Sequence, residues 1–208
     1  MVLMFAGFMF LVSAGSAAAE AGARRYHLAA GADSKLVVHV PRAGLLRFLG
    51  HSHTIEARQF SGVLLWAEVH PKERSLVLEV PAEQLVVTDD AANEDTRTEI
   101  RTTLLGSTVL AVEAHPFIRF TSSEITTKGT AWQVSGELAI RGTTRSVVLS
   151  AEVIETNDGS LRISGMLPLQ PADYGIDPVT AAGGTIRTAD TIEIHFVVKG
   201  HRSEEADF

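Results

Sequence analysis

Apolar and polar residues alternate with period two through most of this chain. The pattern is clearest over residues 115–149, where His115-Pro116-Phe117-Ile118-Arg119-Phe120 leads through a turn into Gly136-Glu137-Leu138-Ala139-Ile140-Arg141-Gly142-Thr143-Thr144-Arg145-Ser146-Val147-Val148-Leu149. Such alternation gives each strand one dry and one wet face. It predicts strands over 35–40, 54–69, 75–80, 117–125, 131–141, 146–154, 161–169 and 191–198. Gly62, inside the second of these, predicts a bulge or bend. Turns fall at His70-Pro71-Lys72-Glu73-Arg74 and at Asn157-Asp158-Gly159, residues that favour tight reversals.

One stretch breaks the period. Over 93–105 Asn93 suits a helix cap, Glu94 and Asp95 suit a first turn, and Ile100 and Leu104 share a face at i, i+4. A short helix is expected there. Residues 41–50 read as a bend carrying Phe48 and Leu49, residues 173–189 as a long loop, and residues 200–208 as a polar, fraying tail. About eight short strands and one helix describe an all-β domain, an antiparallel barrel or sandwich.

Composition narrows the class. The chain has 208 residues, 45% of them apolar, enough for one domain with a real core. Residues 1–19 read as a secretory signal peptide: 2–12 is almost wholly apolar and Ala17-Ala18-Ala19 precedes Glu20. With 0 cysteines, neither disulfides nor thiolate metal ligands are available. A net charge of −7 argues against a nucleic-acid partner. Export to a bacterial periplasm fits these features, with the folded domain at 24–199.

The quoted residues resemble the YceI family of periplasmic polyisoprenoid-binding, lipocalin-like proteins. The likeness runs from about Tyr26 to Val198. It rests on 136–149 and 115–120, on Glu83-Gln84-Leu85-Val86-Val87-Thr88 with Asn93-Glu94-Asp95, on Asp173-Tyr174-Gly175-Ile176, and on the closing strand at 191–198. The helix departs from the family pattern, with aliphatic residues at 96–110 where the family carries a histidine and aromatics. The resemblance implies an eight-stranded antiparallel lipocalin-like barrel, not an enzyme and without a cofactor, whose lumen holds a long amphiphile such as an isoprenoid or fatty acyl chain.

Strand parity turns Leu36, Val38, Leu76, Leu78, Ile118, Phe120, Trp132, Val134, Leu138, Ile140, Val147, Leu149, Ile192, Ile194 and Phe196 inward. On spacing alone these are core. With the resemblance, Leu36, Val38, Leu76, Leu78, Ile118, Phe120, Trp132, Leu138, Ile140, Leu149 and Phe196, together with Phe48 and the helix residues Ile100 and Leu104, become candidate lining for a ligand pocket. Trp66 lies in a strand apolar on both parities, so its direction is open.

The polar candidates are His51 and His53, two residues apart on one strand face, and Arg97 and Arg101, one helical turn apart. They are candidates for a ligand head group near the barrel mouth. The histidines also raise an alternative, a metal-binding protein, although no carboxylate is fixed beside them by local spacing. Hydrogen-bonded rim histidines, and arginines paired with Glu94 or Asp95, are the plainer expectations. A structural or stress-response barrel with a filled core is the remaining alternative. A homodimer is left open by the sequence.

Overall fold

Three of the long strands that wall the molecule are interrupted midway. The computed structural model describes residues 23–43, 52–89, 92–181 and 186–203. The expected signal peptide at 1–19 therefore lies outside the described residues, as do Phe48 and His51.

Strands β1 (Ala23–Ala29) and β2 (Lys35–Val40) run end to end along one edge of the last strand, β14 (Ile192–Arg202). Tyr26, His27 and Leu28 pair with Arg202, His201 and Gly200, and Leu36 to His39 pair with Phe196 to Glu193. Ser34 stitches the break, its Oγ accepting the Lys199 N–H at 2.9 Å. The tail expected to fray from residue 200 is thus strand as far as Arg202, because these backbone groups find partners on β1.

The expected single strand over 54–69 is β4 (His53–Ala57) and β5 (Ser61–Ala67). Its path breaks at 58–60, where the Arg58 N–H turns to the Gln84 carbonyl (2.9 Å) and Phe60 is buried. After β3 (Arg42–Ala43) is set aside, β6 (Ser75–Pro81) and β7 (Leu85–Val87) form a third interrupted strand. Its halves pair with β5 and β4 respectively.

Beyond a helix come β8 (Phe117–Lys128), β9 (Ala131–Ile140), β10 (Thr143–Glu155) and β11 (Leu161–Leu169). Eleven strands are hydrogen-bonded in one sheet, and pairing of β14 with β1 closes it. Three of the eleven continue a neighbour, leaving eight walls that follow one another up and down in chain order. Among the described residues the protein is a closed, eight-stranded antiparallel β-barrel with one α-helix. Closure leaves no long edge unpaired among the described strands.

The hairpin between β9 and β10 turns in two residues, Arg141 (φ 50°) and Gly142 (φ 72°). Both are left-handed, as a primed turn that matches strand twist requires. The His115 ring packs where a Gly142 Cβ would sit, 2.6 Å from Cε1, which accounts for that histidine.

Helix α1 (Glu94–Leu105) starts where expected: Asn93 Oδ1 accepts the Thr96 N–H at 2.8 Å. Two regions expected as bend and loop instead contribute a small second sheet, in which β3 pairs with β13 (Ile186–Thr188) and β13 with β12 (Thr180–Ala181).

Candidate functional site: an open apolar lumen

Inward parity concentrates aliphatic side chains on the barrel axis, and they do not fill it. A cavity of about 660 Å³ remains. Leu36, Val38, Leu76, Leu78, Ile118, Phe120, Trp132, Leu138, Ile140, Leu149 and Phe196 line it, as do Ile100 and Leu104 of α1. Val134, Ile192 and Ile194 line it as well, whereas Val147 packs against the core without being among the lining residues. The filled-core expectation fails on this volume.

Two phenylalanines explain much of the open space. A Cβ on Gly136 would lie 2.7 Å from Phe120 Cζ, and one on Gly165 would lie 2.6 Å from Phe196 Cζ. Each ring therefore lies along the wall, over a glycine of the adjacent strand, instead of projecting to the axis. With ordinary side chains at 136 and 165 the rings would be pushed inward.

The lumen has a closed end and an open one. At the β8–β9 turn end, Trp66 stacks on Trp132 with ring centroids 4.3 Å apart and planes 17° apart. The Arg74 guanidinium sits 3.9 Å above the Trp66 ring, with Nε donating to the Ala67 carbonyl at 2.8 Å. Trp66, left undirected by its sequence, forms the floor with Trp132.

The opposite end carries α1 and the segment after β11. Thr96, Glu99, Ile100, Thr103 and Leu104 all line the cavity, the i, i+3, i+4, i+7, i+8 arc of one helix face. Arg141 ties two loops together here: it donates to the Gly175 carbonyl and, through a terminal nitrogen, to the Ser107 carbonyl at 2.8 Å. Tyr174, beside Gly175, is buried. The Asp173–Ile176 and Arg141-Gly142 motifs thus shape the mouth.

The polar candidates separate. Arg97 and Arg101 do not line the cavity. Arg97 Nε donates to the Ala92 carbonyl at 2.9 Å, and Arg101 reaches the Leu85 and Glu83 carbonyls at 3.3 and 2.7 Å. These carbonyls lie at the β6–β7 interruption and just before the helix, where the ladder leaves acceptors open. Arg101 fastens α1 to the barrel and Arg97 braces the segment that leads into the helix, in place of the expected pairing with Glu94 or Asp95.

His53 does line the cavity. Its Nδ1 lies 2.6 Å from Asp89 Oδ2, and the other Asp89 oxygen accepts the Thr54 N–H. Asp89 is almost fully buried, 6% exposed. The expectation that no carboxylate stands beside the histidines is corrected here: Asp89 lies 36 residues away in sequence, and no local spacing signals it. Among the described residues no group of three or more His, Cys, Asp or Glu could hold a metal ion.

Glu99, Asp177, Asp190, Arg42 and Arg187 complete the charged rim. Arg187 grips Asp190 through two contacts of 2.5 and 3.1 Å. This pairing holds the Asp190 carboxyl below its usual range. None of these five was anticipated from the sequence.

Fold and site together define a closed β-barrel around an apolar lumen, with a floor, an apolar wall and a polar mouth. A model of the YceI-like domain matches residues 32–200, and the chain belongs to that family. Solved structures agree in fold. BcnA of Burkholderia cenocepacia superposes with a TM-score of 0.62 at 16% identity, over 80% of this chain and 95% of that one. A polyisoprenoid binding domain from Saccharophagus degradans, implicated in plant cell wall breakdown, gives 0.58 at 12% identity over 85% and 98%. A YCEI protein of Campylobacter jejuni gives 0.56 at 17% over 73% and 85%. No curated protein sequence matches the chain.

Proposed function

We propose that this protein is a non-enzymatic carrier that holds one long amphiphile, an isoprenoid or a fatty acyl chain, inside its barrel, and that it works in the periplasm after losing residues 1–19. The observation that carries the reading is the cavity of about 660 Å³ walled by aliphatic and aromatic side chains. That volume falls in the range of small-molecule sites, roughly 300–1,000 Å³.

Burying ten to fifteen methylenes contributes roughly 8–12 kcal/mol gross, at about 0.8 per CH₂. Association and chain-ordering costs remove much of it. Micromolar or tighter binding therefore needs no reactive group, and the described lumen offers a desolvating wall. The family match and the Saccharophagus domain named for polyisoprenoid binding point the same way. The whole wall comes from one chain, so the reading does not require the homodimer that the sequence left open.

The test is organic extraction of protein purified from its native host, followed by mass spectrometry, with binding of a fluorescent long-chain lipid alongside. A stoichiometric long-chain species in the extract is expected. An empty extract together with no lipid binding contradicts the reading.

A further inference from the structure

The apolar wall says nothing about which end group a bound chain carries; the mouth does. Among the described residues, His53 is the one imidazole that lines the cavity. Asp89 occupies its Nδ1 at 2.6 Å and is itself fixed by the Thr54 N–H. The ring is therefore set in orientation, with Nε2 on its far edge. A tethered imidazole of this kind is a directional hydrogen-bonding group for a ligand.

The surrounding charge restricts that ligand. Glu99, Asp177 and Asp190 line the mouth against Arg42 and Arg187, and Arg187 is committed to Asp190. Asp89 adds a further buried carboxylate directly behind His53. Among the described residues the mouth thus carries more anionic than cationic groups. Among the described residues, a phosphate arriving here is desolvated beside three carboxylates against two arginines, one of them already paired with Asp190.

We propose that His53, held by Asp89, anchors an uncharged hydrogen-bonding head group, and that the mouth selects against the phosphorylated form of the same chain. This rests on the carrier reading above and specifies its ligand class: long chains ending in a hydroxyl, amide or carbonyl, not a phosphate ester.

The experiment compares three probes sharing one C20 isoprenoid chain: the free alcohol, its monophosphate, and a hydrocarbon with no head. Each is titrated against the wild-type protein, His53→Leu, and a Glu99→Gln, Asp177→Asn double variant. The alcohol is expected to bind at least tenfold more tightly than the monophosphate. His53→Leu is expected to weaken the alcohol about fivefold, one neutral hydrogen bond, while leaving the hydrocarbon within twofold. That unchanged hydrocarbon binding also shows that the variant barrel is intact. The double variant is expected to strengthen the monophosphate selectively.

Equal or tighter binding of the monophosphate by the wild type overturns the proposal while leaving the carrier reading standing. So does an alcohol affinity indifferent to His53→Leu. Failure of all three probes to bind overturns both.

Discussion

Trp66 stacks on Trp132 across the end of the barrel, centroids 4.3 Å apart, and this contact floors the lumen. Their strands are not adjacent in the sheet, so the stack spans the interior. Trp132 is 9% exposed. Trp132→Ala removes a large buried ring and is expected to cost about 3 kcal/mol in urea denaturation. A loss under about 1 kcal/mol would mean that the floor closes without it.

Phe120 lies over Gly136, and the lumen depends on that arrangement. A Cβ at 136 would meet the Thr121 carbonyl oxygen at 2.5 Å as well as the ring. Gly136→Val is expected to destabilise the barrel by about 1–3 kcal/mol through overpacking and to lower chain-ligand affinity by driving the ring inward. Unchanged stability together with unchanged affinity contradicts this account of the space.

Leu138 faces the cavity and is nearly buried, opposite Phe120 in the β8–β9 ladder. In a filled core Leu138→Trp costs about 1–3 kcal/mol. Here the indole has room, so thermal or urea unfolding should show a loss below about 1 kcal/mol, with chain binding reduced at least tenfold. A large stability loss with binding retained would place the ligand elsewhere.

The wall was legible in the sequence because burial on a strand leaves a period of two. Leu36 and Val38, Leu76 and Leu78, Ile118 and Phe120, and Leu138 and Ile140 announce their inward faces without any knowledge of neighbours. The helix was legible for an equally local reason, the Asn93 cap and the acidic first turn. β1 carries little period-two signal because Tyr26 and Leu28 are its sole large apolar residues, set among Arg24, Arg25 and His27.

The mouth was far less legible. His53 and Asp89 meet only because β4 pairs with β7, a long-range register that periodicity cannot supply. Arg97 and Arg101 misled for a related reason: their i, i+4 spacing was clear, but their partners are backbone carbonyls, Ala92 just before the helix for Arg97 and Glu83 and Leu85 at the interruption between β6 and β7 for Arg101. Arg187 sits in a segment read as loop, where a short sheet holds it, and Asp190 follows just beyond that segment.

Asp158 in the β10–β11 turn accepts from the Thr156 hydroxyl at 2.5 Å, the Ser160 N–H at 3.1 Å and Lys199 Nζ at 3.1 Å. These donors, the Thr156 hydroxyl foremost, hold its carboxyl well below the usual carboxylate range. A depressed folded value means the ionised form favours the fold. Its contribution is present above the unfolded value, about 4, and is lost as pH falls from there toward the folded value. Asp158→Asn is therefore expected to lower the melting temperature at pH 7, with a gap that is flat between about pH 5 and 8 and narrows below about 4. A gap that narrows near neutrality, or persists unchanged to the lowest pH at which the barrel folds, contradicts this assignment.

Native mass spectrometry of delipidated protein titrated with a C20 isoprenoid alcohol tests the occupied lumen most directly. The expected spectrum shows saturation at one alcohol per chain in the wild type and no adduct with Leu138→Trp. No adduct at any concentration, or a ladder of adducts that ignores the substitution, would contradict a ligand housed within the barrel.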